Sequence, residues 1–279
     1  MFTMDAVRPA SEDYKPPKIL VYGPPGLGKT TFGCTFESPI LLRAEDGACA
    51  LDVATFPELV RTYADLCEAI NALHGDHPFK TVVVDSLDWI EPLVWAETCV
   101  RLSNNSKSEI ITSIEQPGYG KGYVEADKVW REMLAGMDSL RFNRGMQIVL
   151  IAHAEQKRVE PPDSDPYDRY QIKLHRRAWA LWQEWVDALL FANYERRLIP
   201  TKSGGKDRPA DKHRAEGSGE RVLHTDERPA FLAKDRWGLP EKIYIGKDKT
   251  WSAFHNALAA ATRGKYQPPT TANQEENAK

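Results

Sequence analysis

Residues Gly23–Thr30, with the sequence GPPGLGKT, fit the pattern G-x-x-x-x-G-K-[ST] near the start of the chain. The run Lys18–Tyr22 before them has the composition of a buried strand, and Lys29–Phe36 after them has the pattern of a helix. A glycine-rich turn between a strand and a helix points backbone N–H groups inward, where they can surround a phosphate. The motif therefore predicts a phosphate-binding loop in a domain of alternating strands and helices.

The residue types in this loop suit a nucleoside triphosphate with its metal ion. Gly28 allows the backbone to approach closely, Lys29 would reach the β- and γ-phosphates, and the Thr30 hydroxyl would be a ligand of Mg²⁺. We therefore expect ATP and Mg²⁺ as cofactors. The predicted nucleotide contacts are Gly23, Pro24, Pro25, Gly26, Leu27, Gly28, Lys29, Thr30 and Thr31.

The segment Thr81–Asp85, TVVVD, ends an apolar run with a carboxylate. Such a run is typical of a strand that is covered on both faces of a parallel sheet. Because nucleotides bind at the carboxyl ends of these strands, Asp85 is predicted to hold Mg²⁺ together with Thr30. The alternative for Asp85 is a helix-capping role in the turn that follows the strand.

Short apolar runs alternate with longer helical patterns along most of the chain. This alternation predicts an α/β fold with a mostly parallel sheet flanked by helices around a P-loop NTPase core. The predicted strands are Lys18–Tyr22, Ile40–Ala44, Thr81–Asp85, Gln147–Ala152 and Ala188–Tyr194, and the predicted helices are Lys29–Phe36, Tyr63–Leu73, Leu87–Leu102, Glu125–Leu140, Leu174–Val186 and Trp251–Arg263.

One ATPase domain is predicted over residues 15–264. Residues 1–14 are expected to be a flexible amino terminus, and the polar, proline-rich residues 265–279 a disordered tail. Within the domain, residues 195–223 hold two clusters of glycine and serine among many charges. This composition predicts a C-terminal β-hairpin or arm with a mobile tip.

Charge and hydropathy limit the partners of the chain. Its net charge of −3 means that nucleic acid would have to bind through a local basic patch, such as the excess of Lys and Arg in residues 173–214. No apolar run approaches the roughly 20 residues of a membrane span. The four cysteines have irregular spacing, which favours buried thiols in a reducing compartment. We expect a cytoplasmic protein without membrane contact.

Three further segments resemble motifs of RecA-like ATPases. Val83–Ser86, VVDS, resembles a strand end of RecA-type recombinases, and Lys234–Gly238, KDRWG, resembles the K-N-R-F-G motif of the bacterial RadA branch and the K-x-R of hexameric helicases. Asp235 and Trp237 depart from that pattern. Together with Gly118–Tyr123, GYGKGY, these segments resemble the phage Sak group of RecA-like ATP-binding proteins over about residues 15–262.

The resemblance implies roles for the residues at matching positions. Glu45, or its neighbour Asp46, would polarise the attacking water, and His153 would sense the γ-phosphate. Lys234 and Arg236 would reach across a subunit interface and stabilise charge on the neighbour's γ-phosphate. The alternatives are a solvent-facing carboxylate at 45, a hydrogen-bonded core histidine at 153 and a solvated charge cluster at 234–236.

The resemblance also implies single-stranded DNA as a partner, with a mobile DNA-binding loop in residues 155–173. In the GYGKGY segment, Lys121 would contact a phosphate, and Tyr119 or Tyr123 would stack on a base. A flexible surface loop is the alternative for both segments. The candidate DNA-binding residues are Lys121, Tyr123, Lys157, Arg158, Arg169 and Lys173.

Three functions are consistent with these patterns. The first is a DNA-dependent ATPase of phage recombination that anneals or exchanges strands as a homo-oligomer, with a single-strand-binding protein as a candidate partner. The second is a nucleotide-switched loader with slow hydrolysis. The third is a small-molecule kinase with residues 195–223 as its lid, although this function gives Glu45 and the KDRWG segment no role. The sequence does not separate a ring from a filament, or DNA from RNA.

Overall fold

The computed structural model describes residues 3–4, 7, 9, 12–47, 51–105, 109–163, 165–200, 213–245 and 251–269. The strands in these ranges are β1 (Lys18–Gly23), β2 (Pro39–Arg43), β3 (Ala54–Thr55), β4 (Thr81–Asp85), β5 (Gln147–Val159), β6 (Tyr167–Ile172), β7 (Ala188–Pro200), β8 (His213–His224), β9 (Lys234–Asp235) and β10 (Lys242–Ile245). The helices are α1 (Lys29–Cys34), α2 (Tyr63–Ala72), α3 (Leu87–Asn105), α4 (Lys121–Asn143), α5 (Arg176–Trp185) and α6 (Ser252–Ala261).

The strands form a sheet with the order β10-β8-β7-β1-β5-β4-β2-β3. All neighbours from β7 to β3 are parallel, whereas β8 and β10 extend the sheet in antiparallel directions. β6 pairs with the far part of β5, and β9 pairs with β7, both antiparallel. The predicted fold class, an α/β core with a mostly parallel sheet, is confirmed.

Helices cover both faces of the parallel sheet, which explains the uninterrupted apolar runs of its strands. In β4, the side chains of Val82 and Val84 lie in the core under α2, α3, α4 and α5, whereas Val83 lies in the core under α1 and α6. All three are fully buried. A strand buried on both faces gains nothing from a polar alternate position, so its sequence shows no period of two.

The arm that was predicted in residues 195–223 is the outer part of the β7–β8 hairpin. The two strands pair from Phe191 and His224 outward to Pro200 and His213, with an irregularity between Tyr194 and Arg196. The base of the hairpin is therefore part of the sheet. The predicted mobile tip falls largely within residues 201–212, which lie outside the described residues.

The mobile loop that was expected in residues 155–173 is instead mostly a β-hairpin. β5 runs on past the parallel sheet to Val159, and β6 returns beside it in antiparallel register, with Lys157 opposite Arg169. The physical reasons are the antiparallel pairing of β6 with the far part of β5 and the prolines, which lie between the two strands.

The end of the described chain packs on α6. Tyr266, in the predicted disordered tail, is buried, and its hydroxyl lies 2.5 Å from Nδ1 of His255. Residues 270–279 of that tail lie outside the described residues. Among the residues that are described, no helix is long and apolar enough to cross a membrane.

Candidate nucleotide-binding site

Backbone conformation and close packing explain why glycine occupies several positions of the phosphate-binding loop. The loop leaves β1 at Gly23 and enters α1 at Lys29. Gly26 and Gly28 have φ angles of 79° and 81°, in the left-handed region that favours glycine. A Cβ on Gly23 would lie 2.2 Å from the carbonyl oxygen of Ala192 in β7, so a side chain has no space there.

Lys29 lies inside this loop. Its Nζ donates hydrogen bonds to the carbonyl oxygens of Gly23, at 3.0 Å, and Pro24, at 2.9 Å. Burial lowers the pKa of the ammonium, and the nearby carboxylate of Asp85 opposes that shift. A buried cation held by neutral carbonyls gains when an anionic phosphate oxygen becomes its partner, which fits the predicted role of Lys29.

Thr30 and Asp85 meet at the carboxyl ends of β1 and β4. The Thr30 hydroxyl donates a 2.7 Å hydrogen bond to Oδ2 of Asp85. Burial raises the pKa of Asp85, whereas the Thr30 hydrogen bond and the charges of His153 and Lys29 lower it. A hydroxyl and a carboxylate side by side form the hard oxygen donor set that Mg²⁺ prefers. These two residues therefore fit the predicted metal site.

Glu45 follows β2 and borders the same site. The backbone N–H groups of Ala44 and Glu45 point to the carbonyl oxygen of Asp85, at N–O distances of 2.7 and 3.4 Å. Burial raises the pKa of Glu45, and the negative charge of Asp85 raises it further. Asp46, the neighbouring candidate, is exposed. Of the two, Glu45 is therefore the carboxylate with an electrostatic link to the site.

His153 is held by a residue that the sequence analysis did not single out. It lies opposite Gly23 in the β1–β5 register. Its Nδ1 is 2.9 Å from Oδ2 of Asp88, and its backbone N–H donates to Oδ1 at 3.0 Å. The hydrogen bond to Asp88 raises the pKa of His153. Burial would raise the pKa of Asp88, but the hydrogen bonds from His153 outweigh it and the net shift is downward.

A second buried carboxylate lies one turn further along α3. Glu91 accepts hydrogen bonds from the backbone N–H of His175, at 2.9 and 3.1 Å to its two oxygens. Burial raises the pKa of Glu91 to about 7. α3 thus holds the sensor candidate through Asp88 and the segment after β6 through Glu91. The only sequence signal for this pair is a carboxylate spacing of three on the helix.

Lys234 and Arg236 lie at the opposite end of the sheet. Lys234 pairs with Leu189 at the start of β7, far along the strand direction from the phosphate-binding loop. Its Nζ donates to the carbonyl oxygens of Gln183, Glu184 and Val186 at the end of α5. Arg236 donates to the Glu184 carbonyl and lies 3.5 Å from Asp187. Neither residue belongs to the nucleotide site of its own chain.

The DNA-binding candidates of the β5–β6 hairpin are close to the sensor candidate. Lys157 and Arg158 are exposed, and the side chain of Lys157 forms an ion pair with Glu155. Arg169 is paired with Glu227. The N–H of Lys173 donates to the carbonyl oxygen of His153 at 2.9 Å, so the hairpin is joined directly to the nucleotide site.

The GYGKGY segment forms a tight turn into α4. Gly118, Tyr119 and Gly120 all have positive φ angles, and this turn leaves the side chain of Tyr119 fully exposed. Tyr123 is different, because its ring stacks on His175 at a centroid distance of 3.9 Å. Lys121 is exposed at the start of α4. The turn therefore lies next to the end of the β5–β6 hairpin.

A phosphate-binding loop, a lysine inside it and a threonine–aspartate pair at the carboxyl ends of parallel strands define a P-loop nucleotide-binding protein. The family model described as an AAA domain matches residues 15–237, which is most of the chain. The chain therefore belongs to the AAA domain family, a family of P-loop ATPases, and membership implies a bound nucleotide, typically with Mg²⁺.

No curated protein matches the chain. Among solved structures, the crystal structure of the RadB recombinase is similar, with 14% sequence identity and a TM-score of 0.43, over 84% of this chain and 89% of that chain.

Proposed function

We propose that this protein is an ATPase that couples Mg²⁺–ATP to the binding of single-stranded DNA, as in the recombination systems of phages. The observation that carries the proposal is the position of His153. It lies in β5 between the phosphate-binding loop, which is its neighbour through Gly23, and the β5–β6 hairpin with its exposed cations. One strand thus joins the predicted nucleotide site to the predicted DNA surface.

The residues of the site suit hydrolysis. Bound Mg²⁺ would supply positive charge that stabilises the transferring phosphoryl group. Lys29 adds a second positive charge from the loop, and Thr30 with Asp85 forms the oxygen pair for the metal. Glu45, whose pKa is raised by burial, is the carboxylate in position to accept a proton from water and orient it.

The link from nucleotide to DNA runs through α3. Asp88 holds both the ring and the backbone of His153, and Glu91 holds the backbone of His175. A change in the hydrogen bonds of His153 would therefore act on the same helix that fixes the end of the β5–β6 hairpin. We propose that α3 is the element through which nucleotide binding and DNA binding affect each other.

The proposed DNA surface combines the hairpin with the turn before α4. Lys157 and Arg158 supply exposed positive charge, and Lys121 supplies it on the turn. Tyr119 is the aromatic residue with a free ring, whereas Tyr123 already stacks on His175. Charge next to an exposed aromatic ring is the usual arrangement for binding single strands. Arg169 and Lys173 would support this surface from β6 and its end.

The proposal includes a homo-oligomer. Arg236 is about half exposed at the end of the sheet opposite to the phosphate-binding loop, so it would reach a γ-phosphate only in a neighbouring subunit. Lys234 holds the end of α5 and would position that arginine. A single-strand-binding protein as partner and a location in the host cytoplasm are also part of the proposal.

The described part of residues 195–223 gives the kinase alternative less support. Residues 195–223 were its candidate lid, but the base of this arm is paired within the sheet, between β7, β8 and β10. A slowly hydrolysing loader would have the same site, so the rate of ATP turnover separates it from the recombination ATPase.

The test is single-stranded DNA binding with and without ATP, in the wild type and in Lys29→Ala. We expect ATP to tighten DNA binding in the wild type and to have no effect in Lys29→Ala, because that variant lacks the cation inside the loop. The control is Lys128→Ala, which removes an exposed lysine of α4 that is paired with Glu125. Equal enhancement by ATP in all three proteins would refute the coupling.

A further inference from the structure

Arg221 lies directly over the phosphate-binding loop. Its Nη1 is 3.0 Å from the position that a Cβ would occupy on Gly28. That distance is a close approach for a polar atom to a loop glycine. The residue is in β8, about 190 positions after the loop in the sequence, so the contact arises only through the fold.

The pairing of β8 places this side chain. Arg221 is opposite Tyr194 of β7 and Ile245 of β10. It lies two residues from Leu223, so the two side chains share a face of the strand. Leu223 is buried in the core that contains Phe32 of α1, and the shared face is therefore the one that carries the loop and α1.

Arg221 differs from the cations around it because its guanidinium has no partner among the described residues. Nearby cations of the same part of the fold have carboxylate partners, since Arg228 pairs with Glu241 and Lys242 pairs with Glu195. Within the described ranges, the Arg221 side chain has no ion pair and no hydrogen bond. A half-buried arginine with free donors beside a loop of phosphate-binding type is suited to an anionic ligand.

Two other side chains border the same position. The Thr31 hydroxyl and Cζ2 of Trp251 both lie 3.8 Å from the Gly28 Cβ position. Trp251 is buried to 99%, and its indole N–H has no hydrogen-bond partner among the described residues. A buried donor without a partner is costly unless a ligand or water satisfies it. Arg221 and Trp251 thus both lie beside the loop, and each carries an N–H donor without a partner among the described residues.

We propose that Arg221 is a second cation of the nucleotide site, supplied by the same subunit, and that it binds the α- and β-phosphates of the nucleotide. This inference rests on the proposed function, because it assumes that the loop binds a nucleoside di- or triphosphate. Gly28 and Thr31 belong to the backbone that surrounds the α- and β-phosphates, whereas Lys29 reaches the β- and γ-phosphates. Arg221 would therefore grip the part of the ligand that ATP and ADP share.

The role of Arg221 differs from that of Arg236. Arg236 lies at the other end of the sheet and would act only on a neighbour's nucleotide. Arg221 is beside the loop of its own chain, so its effect on binding does not require an oligomer. The proposed role of Arg221 predicts that the protein retains ADP after hydrolysis, because the α- and β-phosphates of ADP still contact this arginine.

The experiment measures equilibrium dissociation constants for ATP and ADP in the wild type, Arg221→Ala, Arg221→Lys and the control Arg228→Ala. We expect Arg221→Ala to weaken both nucleotides by about tenfold, the loss of one charge-assisted hydrogen bond. The nucleotide affinity of Arg221→Lys should lie between those of the wild type and Arg221→Ala, because lysine keeps the positive charge but lacks the planar guanidinium. Arg228→Ala should bind as the wild type does.

Three outcomes would overturn the inference. They are unchanged affinity for both nucleotides in Arg221→Ala, weakening of ATP alone, and equal weakening in Arg228→Ala. The melting temperature of each nucleotide-free protein identifies a variant that fails to fold, and Arg221→Lys then decides the result. If the wild type binds no nucleotide, or Lys29→Ala binds as tightly, the proposed function fails. If only Lys29→Ala loses affinity, this inference alone fails.

Discussion

At the scale of residues, the site brings together several carboxylates that repel one another, and a bound cation would reduce this repulsion. Asp85, Asp88 and Glu45 lie close together at the carboxyl ends of the strands, and the charge of Asp85 raises the pKa of Glu45. Lys29 and His153 offset part of this repulsion. Mg²⁺ held by Thr30 and Asp85 would reduce this repulsion, so we expect Mg²⁺ to stabilise the folded protein.

The first prediction concerns Glu45. Replacing it with Gln keeps the size and removes the proton acceptor, so ATP hydrolysis should fall by roughly 100-fold or more while ATP affinity changes little. Asp46→Asn is the matched control, since Asp46 is exposed and adjacent. Steady-state turnover and ATP binding measure the two quantities. A loss of turnover in Asp46→Asn with normal Glu45→Gln would assign the role to the neighbouring residue.

The second prediction uses the raised pKa of Glu91. Its pKa rises from 4.5 to about 7, mainly through burial, with Glu155 and Asp88 raising it and Lys157 lowering it. Between these values the native state binds more protons than the unfolded state, so the free energy of unfolding should decrease as pH rises through this window. Glu91→Gln should remove this decrease, because the amide oxygen still accepts from His175 but carries no charge.

The measurement is chemical unfolding of the wild type and Glu91→Gln at pH 5 and pH 8. The variant should gain on the order of 2 kcal/mol relative to the wild type over this range. Glu97→Gln is the control on the same helix, where Glu97 pairs with Arg101. A parallel pH dependence of wild type and Glu91→Gln would show that Glu91 does not titrate in this range.

At the scale of elements, local sequence patterns predicted the strands of the parallel core. They did not predict the β5–β6 hairpin, which depends on pairing between two strands. β1, β4 and the first part of β5 were predictable because they are short, apolar and bounded by polar residues. The extension of β5 to Val159 was not, because its stability comes from pairing with β6 and not from burial. β6 itself has no strict alternation of polar and apolar residues, since Asp168 and Arg169 are adjacent.

The third prediction belongs to this hairpin. The double variant Lys157→Ala/Arg158→Ala should weaken single-stranded DNA binding by about tenfold, because two exposed phosphate contacts are lost. The salt dependence of log K should become shallower by about 1.4, or roughly 0.7 for each contact. ATP affinity should not change. The control double variant is Arg228→Ala/Lys242→Ala, whose cations are paired with Glu241 and Glu195.

Titration of both variants with a labelled oligonucleotide at several salt concentrations measures the affinity and the slope. The hairpin would be excluded as a DNA surface if the two double variants behaved alike. Unchanged affinity with a shallower slope would mean that other contacts replace the lost ones, and it would also contradict the expected tenfold effect.

At the scale of the whole molecule, the fold brings sequence-distant residues to one end of the sheet. The loop and Asp85 were predictable from local motifs, because each combines a residue pattern with a strand of known direction. Asp88 and Arg221 were not, since their importance depends on a 2.9 Å contact with His153 and a 3.0 Å approach to Gly28. Such contacts leave no short-range pattern in the sequence.

The arrangement also separates the two proposed sources of positive charge. Lys29 and Arg221 lie at the loop of their own chain, and Arg236 lies at the opposite end of the sheet. In an oligomer whose subunits stack end to end, one subunit's Arg236 would face the next subunit's loop. ATP would then be bound within a subunit, and its hydrolysis would depend on the neighbour.

The most direct test of the account is steady-state ATP hydrolysis with and without single-stranded DNA, with Lys29→Ala as the blank. We predict that the strand stimulates hydrolysis in the wild type, that Lys29→Ala shows no activity above background, and that Lys157→Ala/Arg158→Ala needs more DNA for the same stimulation. Hydrolysis at the same rate with and without DNA would contradict the coupling of the nucleotide site to a DNA surface.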